Sequence, residues 1–256
     1  MKQKIIEKLK NGIEKKEFLQ FISEYYPDFS FENAIDFLKF QGLPLIVEDD
    51  IVILKTAVLP YDQIEYCVVD IEVNNSKPKE GQVIEIGAVK IKDLKITDTF
   101  EFLIYADDVP KYVERVTGIN QRMLRGQASQ KEILRKFRLF LGDSVFVAHA
   151  ADFDYNFLAH QFEKENLGEL LNRFLCTLTL SQKTLQAERY GLKYLMQELK
   201  LPEETHHRAL GDAKTTARIF LMSLEKLPKE IKTAEDLIQF AAPTKNKCKK
   251  KKKTKD

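Results

Sequence analysis

The stretch that decides the fold is Tyr66-Cys67-Val68-Val69-Asp70-Ile71-Glu72-Val73, an apolar run interrupted by two acids at alternate positions. Branched and aromatic residues in such a run favour a β-strand. Because successive side chains of a strand point to opposite faces, Asp70 and Glu72 share one face, and the other face is apolar. Neighbouring carboxylates repel each other, so the pattern indicates either exposed acids on an edge strand or a site for a divalent cation.

Around this strand, residues 65–227 predict a single α/β domain that opens with antiparallel strands. Further strands are expected at 83–91, 95–105 and 145–148. Helices are expected at 130–141, after Phe153, around 192–199 and over 209–225. Strands followed by strand–helix alternation are typical of a mixed sheet with helices on its faces.

Residues 1–64 predict a small separate domain that is helical and winged-helix-like. Three short amphipathic patterns precede residue 44, and the apolar runs 45–47 and 51–54 indicate a hairpin. Winged-helix modules bind DNA or protein. Residues 1–55 contain eight lysines and ten acids, which favours a protein contact or a structural role over phosphate binding.

Residues 228–256 predict a short C-terminal helix followed by a disordered, lysine-rich tail. From Lys245 to Asp256 the tail has eight lysines and one acid, whereas the preceding residues hold 33 basic and 38 acidic groups, a net charge of −5. Such a block of like charge suits either the binding of polyanions or simple solvation. The helix expected at 234–240 is predicted either to pack on its own domain or to dock a partner.

The composition excludes several classes of protein. Apolar residues make up 44% of the 256 residues, but no apolar run approaches the ~20 residues that a membrane helix needs. The first ten residues lack the apolar stretch of a signal peptide. Three cysteines, at positions 67, 176 and 248, have neither metal-ligand spacing nor an even number. We therefore expect a soluble, cytoplasmic protein with no membrane partner.

A second acidic stretch runs from Val147 to Leu158, where an apolar strand ends and a helix begins. Functional groups of α/β sheets collect at such junctions. Asp152 and Asp154 both lie near the helix start, where the helix dipole favours an acid, so at least one of them is expected to cap the helix. His149 is expected to lie either on the polar surface or in the site.

A third stretch, from His206 to Ala213, places an acid at the start of the next helix. Asp212 lies beside the apolar stripe of that helix, where a buried acid needs a partner. His207 lies five positions earlier, which is not a same-face helical spacing, so it is expected on the loop that enters the helix. For His206 a satisfied or exposed side chain is expected.

Taken together, the three stretches resemble the motifs of the DEDDh exonucleases. The matching segments, including two connecting signatures, are 69–72, 147–149 with 153–154, 207–213, 83–89 and 116–120. The resemblance spans about residues 65–225, and within the family it is greatest to the epsilon, or proofreading, branch of bacterial DNA polymerase III. It implies an α/β, ribonuclease H-like fold with a central five-stranded mixed sheet.

The resemblance also implies a set of catalytic residues. The acids that would hold two divalent cations, Mg²⁺ or Mn²⁺, are Asp70, Glu72, Asp154 and Asp212. His207 would be the general base. Phe153 precedes the acid in the family pattern, which selects Asp154 over Asp152. The related branch of the superfamily has a tyrosine at the position of Arg208, so this chain follows the histidine branch.

Contacts with the substrate are implied for Val73, His149, Phe153 and Thr117. The first motif departs from the family here, since Val73 and Asn75 stand where threonine and glycine are usual. Asn75 tolerates the left-handed backbone that a glycine allows. Val73 lacks a hydroxyl that could help to place the substrate end, so substrate handling is expected to differ.

The function that the resemblance implies is a metal-dependent 3′→5′ DNA exonuclease that releases nucleoside 5′-monophosphates from single-stranded or frayed 3′ ends. It would serve as the proofreading subunit of DNA polymerase III, with the alpha subunit and the sliding clamp as partners at the nucleoid. An exoribonuclease of RNA maturation or turnover is the alternative, because no residue discriminates ribose from deoxyribose. The complete set of acids and the histidine argue against a non-catalytic module that binds nucleic acid or protein.

Overall fold

The computed structural model describes residues 2–202 and 207–243, so His206 and the predicted lysine-rich tail lie outside the described residues. The helices are α1 Lys2–Lys10, α2 Lys15–Ser23, α3 Phe31–Phe40, α4 Lys55–Val58, α5 Lys111–Thr117, α6 Gln121–Leu124, α7 Gln130–Leu141, α8 Asp152–Lys164, α9 Thr177–Thr184, α10 Leu192–Glu198, α11 Ala209–Leu224 and α12 Ala234–Phe240. The strands are β1 Ile13–Glu14, β2 Leu45–Glu48, β3 Ile51–Leu54, β4 Tyr66–Val73, β5 Val83–Lys92, β6 Lys95–Leu103, β7 Val145–Ala148 and β8 Phe174–Cys176. Within these ranges no helix is both long and apolar enough to cross a membrane.

Strand β4 lies at the centre of a five-stranded mixed sheet with the order β6-β5-β4-β7-β8. It pairs antiparallel with β5 and parallel with β7, and β6 and β8 form the two edges. The predicted five-stranded mixed sheet is confirmed, and the alternative of an edge strand for Asp70 and Glu72 is wrong. Strand β6 ends at Leu103 rather than at Tyr105. Strand β8 has too few residues to show a period, which is why the sequence pattern did not indicate it.

Helices cover both faces of this sheet. One face packs its apolar side chains, including Val69 and Ile71 of β4, against α7 and α8. The other face, which includes Val68, packs against α11 and α12. Since side chains alternate along a strand, Asp70 and Glu72 follow Val68 on the face that α11 covers. The alternation therefore directs both acids away from the apolar layer formed with α7 and α8 and towards the start of α11.

Residues 2–58 form a helical unit with an apolar core of its own. Helices α1 to α3 and the β2–β3 hairpin occur as predicted, and the Ser30 hydroxyl caps α3 by accepting from the backbone N–H of Asn33 at 3.2 Å. Strand β1 joins the hairpin in a three-stranded antiparallel sheet. The core includes the fully buried Phe18 and Leu38. Its kinship with the winged-helix class stays a prediction.

Polar and apolar contacts hold this unit against the mixed sheet and its helices. The Arg138 guanidinium on α7 donates to the carbonyl oxygens of Phe40 at 3.3 Å and of Glu169 at 2.9 Å. The backbone N–H of Glu169 donates to Oε1 of Gln41 at 2.8 Å. Leu171, from the loop before β8, is buried in the core of the N-terminal unit. The unit is therefore docked along a continuous junction with the sheet domain.

Glu235 on α12 joins three other parts of the chain. Its carboxylate accepts from Nε of Arg173 at 3.1 Å and from the Thr56 hydroxyl at 3.2 Å, and it lies 3.3 Å from Nζ of Lys10. Burial pushes the pKa of Glu235 upwards, but the hydrogen bond and charge of Arg173, together with Lys10, hold it below its usual range. The carboxylate is thus buried in its charged form among its partners.

We expect Glu235→Gln to lower the free energy of unfolding by about 3 kcal/mol, because it leaves the largely buried Arg173 guanidinium without its counter-charge. Chemical denaturation followed by circular dichroism would measure the loss. The control is Glu230→Gln, which removes an exposed acid of the same region and should cost less than about 0.5 kcal/mol. Equal losses in the two variants would contradict the role given to Glu235.

Candidate active site

Four acids from three parts of the chain lie close enough for their charges to interact. Asp70 and Glu72 come from β4, Asp154 from the first turn of α8 and Asp212 from the first turn of α11. The pKa of Asp70 is raised well above its usual range, chiefly by burial and then by the charges of Asp154, Asp212 and Glu72. The structure therefore brings together the four acids that the resemblance implied as metal ligands.

Burial and mutual repulsion raise the pKa values of Glu72 and Asp154 as well. Burial, followed by the charges of Glu85 and Asp212, raises the pKa of Glu72 to about 7. Burial raises the pKa of Asp154 to about 8, although hydrogen bonds from the backbone of Asp154 and Ile71 oppose the shift. A carboxylate group of this kind binds protons near neutral pH unless a cation takes their place.

His207 lies on the loop before α11, as predicted, and is exposed. Its φ of 55° is left-handed, and its backbone N–H donates to Oδ2 of Asp212 at 3.2 Å. One ligand atom each from Glu72, His207 and Asp212 lie within 4.8 Å of one another. The imidazole is therefore placed to act on the same ion or water molecule as these two acids.

This donor set fits a divalent cation. Carboxylate oxygens are the ligands that Mg²⁺ prefers, and Mn²⁺ accepts carboxylate together with imidazole. The guanidinium of Arg208, next to His207 in the chain, is held by Glu85 through hydrogen bonds of 2.9 and 2.6 Å. A bound cation would therefore be the group that balances the remaining acids.

Glu85 is a fifth acid of this region that the sequence pattern did not single out. It lies opposite Glu72 in the β4–β5 pair and is fully buried. One carboxylate oxygen accepts from Arg208, and the other accepts from the backbone N–H of Ala209 at 2.9 Å. A lone charge in the otherwise apolar stretch 83–89 was the signal that could have revealed it.

Phe153 and Val73 are the two predicted substrate contacts that adjoin the acids in the chain. The Phe153 ring, at the start of α8, is 43% exposed and lines a cavity of about 540 Å³ together with Arg173 and Cys176. Val73 follows a β-bulge after Glu72 and packs partly buried against the core. Contact of either residue with a substrate stays a prediction.

His149 and Thr117 have their polar groups engaged within the protein. The His149 ring nitrogens lie 3.0 Å from the Thr177 hydroxyl and 2.8 Å from the Tyr190 carbonyl oxygen. Burial lowers the pKa of His149, although the hydrogen bond with Tyr190 opposes the shift. Thr117 is 6% exposed, and its hydroxyl donates to the Val113 carbonyl at 2.9 Å. Contact of either side chain with a substrate stays a prediction.

Two backbone predictions are wrong. Asn75 is not among the described residues with a positive φ. Its side-chain oxygen instead accepts from the backbone N–H of Lys77 at 3.0 Å, which closes a local turn without left-handed backbone. The cap residue of α8 is Ala151, so neither Asp152 nor Asp154 is the cap. Asp154 is directed towards the other acids, whereas Asp152 is exposed.

A mixed sheet whose central strand carries two acids, with two more at the starts of α8 and α11, defines a ribonuclease H-like exonuclease. The model of the RNase T family, described as Exonuclease, matches residues 67–220. The chain belongs to this family, the DnaQ-like 3′–5′ exonucleases, whose nuclease activity depends on divalent metal ions.

Known proteins similar to the chain include two replication proteins. The DNA polymerase III PolC-type protein of Thermotoga petrophila is 35% identical over 190 residues, which is 71% of this chain and 14% of that protein. The DNA polymerase III subunit epsilon of Aquifex aeolicus is 33% identical over 165 residues, 63% of this chain and 81% of that subunit. The match thus covers a small part of the first relative and most of the second.

A solved structure with a similar fold is that of Exonuclease X in complex with 5′ overhanging duplex DNA. The TM-score is 0.53 and the identity is 22%, and the match covers 69% of this chain and 99% of that chain. At this identity the similarity supports the fold.

Proposed function

We propose that this chain is a metal-dependent 3′→5′ DNA exonuclease that releases nucleoside 5′-monophosphates and serves proofreading. The observation that carries the proposal is the group of four acids from β4, α8 and α11, with His207 within reach of Glu72 and Asp212. The match to 81% of an epsilon subunit supports the proofreading role. We assign the nuclease to residues 65–227, with residues 1–64 and 228–256 as appended parts.

In this proposal two divalent cations, Mg²⁺ or Mn²⁺, are held by Asp70, Glu72, Asp154 and Asp212. When bound, such cations stabilise negative charge on the reacting phosphate and lower the pKa of a nearby water molecule. The acids of the chain fix where this positive charge lies, and their burial limits its screening by bulk water. An acidic site can in this way receive a negatively charged substrate.

His207 accepts the proton of the attacking water. Its neutral imidazole takes the proton while the water oxygen bonds to phosphorus and the bond from phosphorus to the 3′ oxygen of the preceding nucleotide breaks. The leaving oxygen takes a proton from solvent, and the terminal residue departs as its 5′-monophosphate. Because His207 is exposed, it can return its proton to bulk water after each turnover.

The substrate that suits this site is a single-stranded or frayed 3′ end. The exposed Phe153 ring, next to Asp154 in the chain, offers an apolar face on which an unpaired base can stack. Val73 adds an apolar contact after Glu72 but no hydroxyl. A paired base must first leave its stack to reach such a ring, which favours frayed ends over intact duplex.

A polymerase partner follows from the same proposal. Both replication relatives carry the name of DNA polymerase III, so the partners we propose are its alpha subunit and the sliding clamp. Size-exclusion chromatography of this chain with the purified alpha subunit should show a complex. Separate elution at micromolar concentrations would contradict the partner assignment and would leave the proposed chemistry intact.

The test of the activity is a paired digestion of 5′-labelled single-stranded DNA and RNA of the same sequence. With Mg²⁺ or Mn²⁺ we expect a ladder of products shortened from the 3′ end, formed faster from DNA than from RNA, and no products with EDTA. Faster digestion of RNA would make the chain an exoribonuclease. Intact DNA and RNA after incubation with metal-replete protein would contradict an exonuclease altogether.

A further inference from the structure

We infer that Glu85 is a positioning residue that fixes the start of α11 and thereby places His207 and Asp212 over the acids of β4. For its activity readout this inference rests on the proposed nuclease function. The carboxylate does not have to touch the substrate for this role. It acts through Arg208 and Ala209, the two residues at which α11 begins.

The hydrogen bonds of Glu85 engage both the side chain and the backbone of that helix start. Oε1 accepts from Nε of Arg208 at 2.9 Å and from a terminal guanidinium nitrogen at 2.6 Å. Oε2 accepts from the backbone N–H of Ala209 at 2.9 Å. The first N–H groups of a helix have no partner within the helix, and the cap residue Arg208 makes no side-chain cap bond. Glu85 therefore supplies the cap of α11 from a neighbouring strand.

Gly87, two residues further along β5, makes this close approach possible. It lies on the same face as Glu85, because side chains alternate along a strand. A Cβ atom at Gly87 would lie 2.2 Å from the carbonyl carbon of Ala209 and 2.2 Å from the backbone nitrogen of Leu210. The backbone of α11 therefore packs directly against β5. The missing side chain of Gly87 permits this close contact, and Glu85 forms hydrogen bonds with the first residues of the helix.

The position of this helix start decides the geometry of the catalytic groups. His207 immediately precedes the residues that Glu85 binds, and Asp212 lies one helical turn after Arg208, whose carbonyl accepts from the Asp212 backbone N–H at 3.0 Å. A shift of α11 therefore moves both groups relative to Asp70 and Glu72. Misplacement of catalytic groups by about 1 Å can lower a rate on the order of 100-fold.

A positioning role also explains an otherwise unfavourable charge. Glu85 is fully buried directly opposite Glu72, so its carboxylate adds to the repulsion among the acids. An apolar side chain in this place would remove the repulsion. Burial of a carboxylate is compensated here by Arg208 and by the end of α11, which gives the charge a function in the placement of the helix.

The first experiment compares Glu85→Gln with Glu85→Asp and with the control Glu101→Gln. Glu101 lies on β6 opposite Gly87, is exposed, and carries the same charge near Arg208. With Mg²⁺ and single-stranded DNA, we expect Glu85→Gln to lower kcat about 10- to 100-fold with little change in KM. Glu85→Asp should recover part of this loss, and Glu101→Gln should match the unaltered protein. An unchanged kcat in Glu85→Gln would overturn the inference.

The second experiment follows amide hydrogen exchange of the metal-free protein and needs no activity. In Glu85→Gln, exchange should become faster over residues 209–213, whereas the C-terminal half of α11 and the helices α7 and α8 should keep their protection. Faster exchange throughout the chain would make Glu85 a general stabilising residue and would overturn the inference. If no nuclease activity is found in the unaltered protein, the proposed function fails and the exchange experiment still decides the role of Glu85.

Discussion

Asp70→Asn is expected to lower the rate of DNA hydrolysis by a factor on the order of 1,000 or more, with the fold intact. Asp70 lies on the central strand, where the charges of Asp154, Asp212 and Glu72 repel its carboxylate. An amide of the same shape removes one full negative charge from the middle of this group. Divalent cations should then bind weakly and in altered positions, and a loss of about 4 kcal/mol of transition-state stabilisation corresponds to this factor.

The stability of the metal-free variant should change in the opposite direction. Since burial and three neighbouring acids raise the pKa of Asp70, its charged form is unfavourable in the folded protein without a cation. The neutral amide relieves that repulsion, so thermal unfolding of Asp70→Asn in EDTA at pH 8 should occur at or above the temperature of the unaltered protein. A lower unfolding temperature would show that the variant loses activity through its fold.

The matched control is Asp152→Asn. Asp152 lies in the same first turn of α8 as Asp154 but is exposed. We therefore expect Asp152→Asn to keep nearly full activity. A loss as large as that of Asp70→Asn would contradict the choice of Asp154 as the ligand of α8, and full activity of Asp70→Asn would contradict the proposed function.

The sequence was sufficient to predict those helices and strands that have a strong local pattern of apolar residues. The alternation in β4 predicted both the strand and the shared face of its acids, and the amphipathic stripes predicted α7 and α11. The central position of β4 could not be read in the same way, because it depends on pairing not only with the neighbouring β5 but also with β7, which is distant in the chain. Short elements such as β1 and β8 have no period that a pattern could reveal.

The residues of the candidate site also differ in how far the sequence alone could reveal them. Its acids and His207 were identified by the resemblance of their segments to the DEDDh motifs, and the structure brings them together. The partners of His149 lie at residues 177 and 190, and the partners of Glu85 lie at residues 208 and 209. These contacts arise only when separate parts of the chain pack together, so neither the hydrogen bonds of His149 nor the cap on α11 was visible in a local pattern.

Without metal, the protein is expected to become less stable as the pH rises from about 5 to about 8. The pKa values of Glu72 and Asp154 are raised to about 7 and about 8 in the folded protein, above those of the unfolded chain. The folded state therefore binds more protons in this range, and the free energy of unfolding falls as these protons are lost. Each group contributes up to about 1.4 kcal/mol per pH unit, which gives several kcal/mol across the range.

Mg²⁺ should remove most of this pH dependence, because a cation held by the four acids takes over the role of the bound protons. Its stabilising effect should accordingly be large at pH 8 and small at pH 5.5, where protons compete with the cation for the same carboxylates. Thermal unfolding at the two pH values, in EDTA and in excess Mg²⁺, measures the difference, with Ca²⁺ as a second probe that needs no turnover. Equal stabilisation at both pH values would place the bound cation away from Glu72 and Asp154.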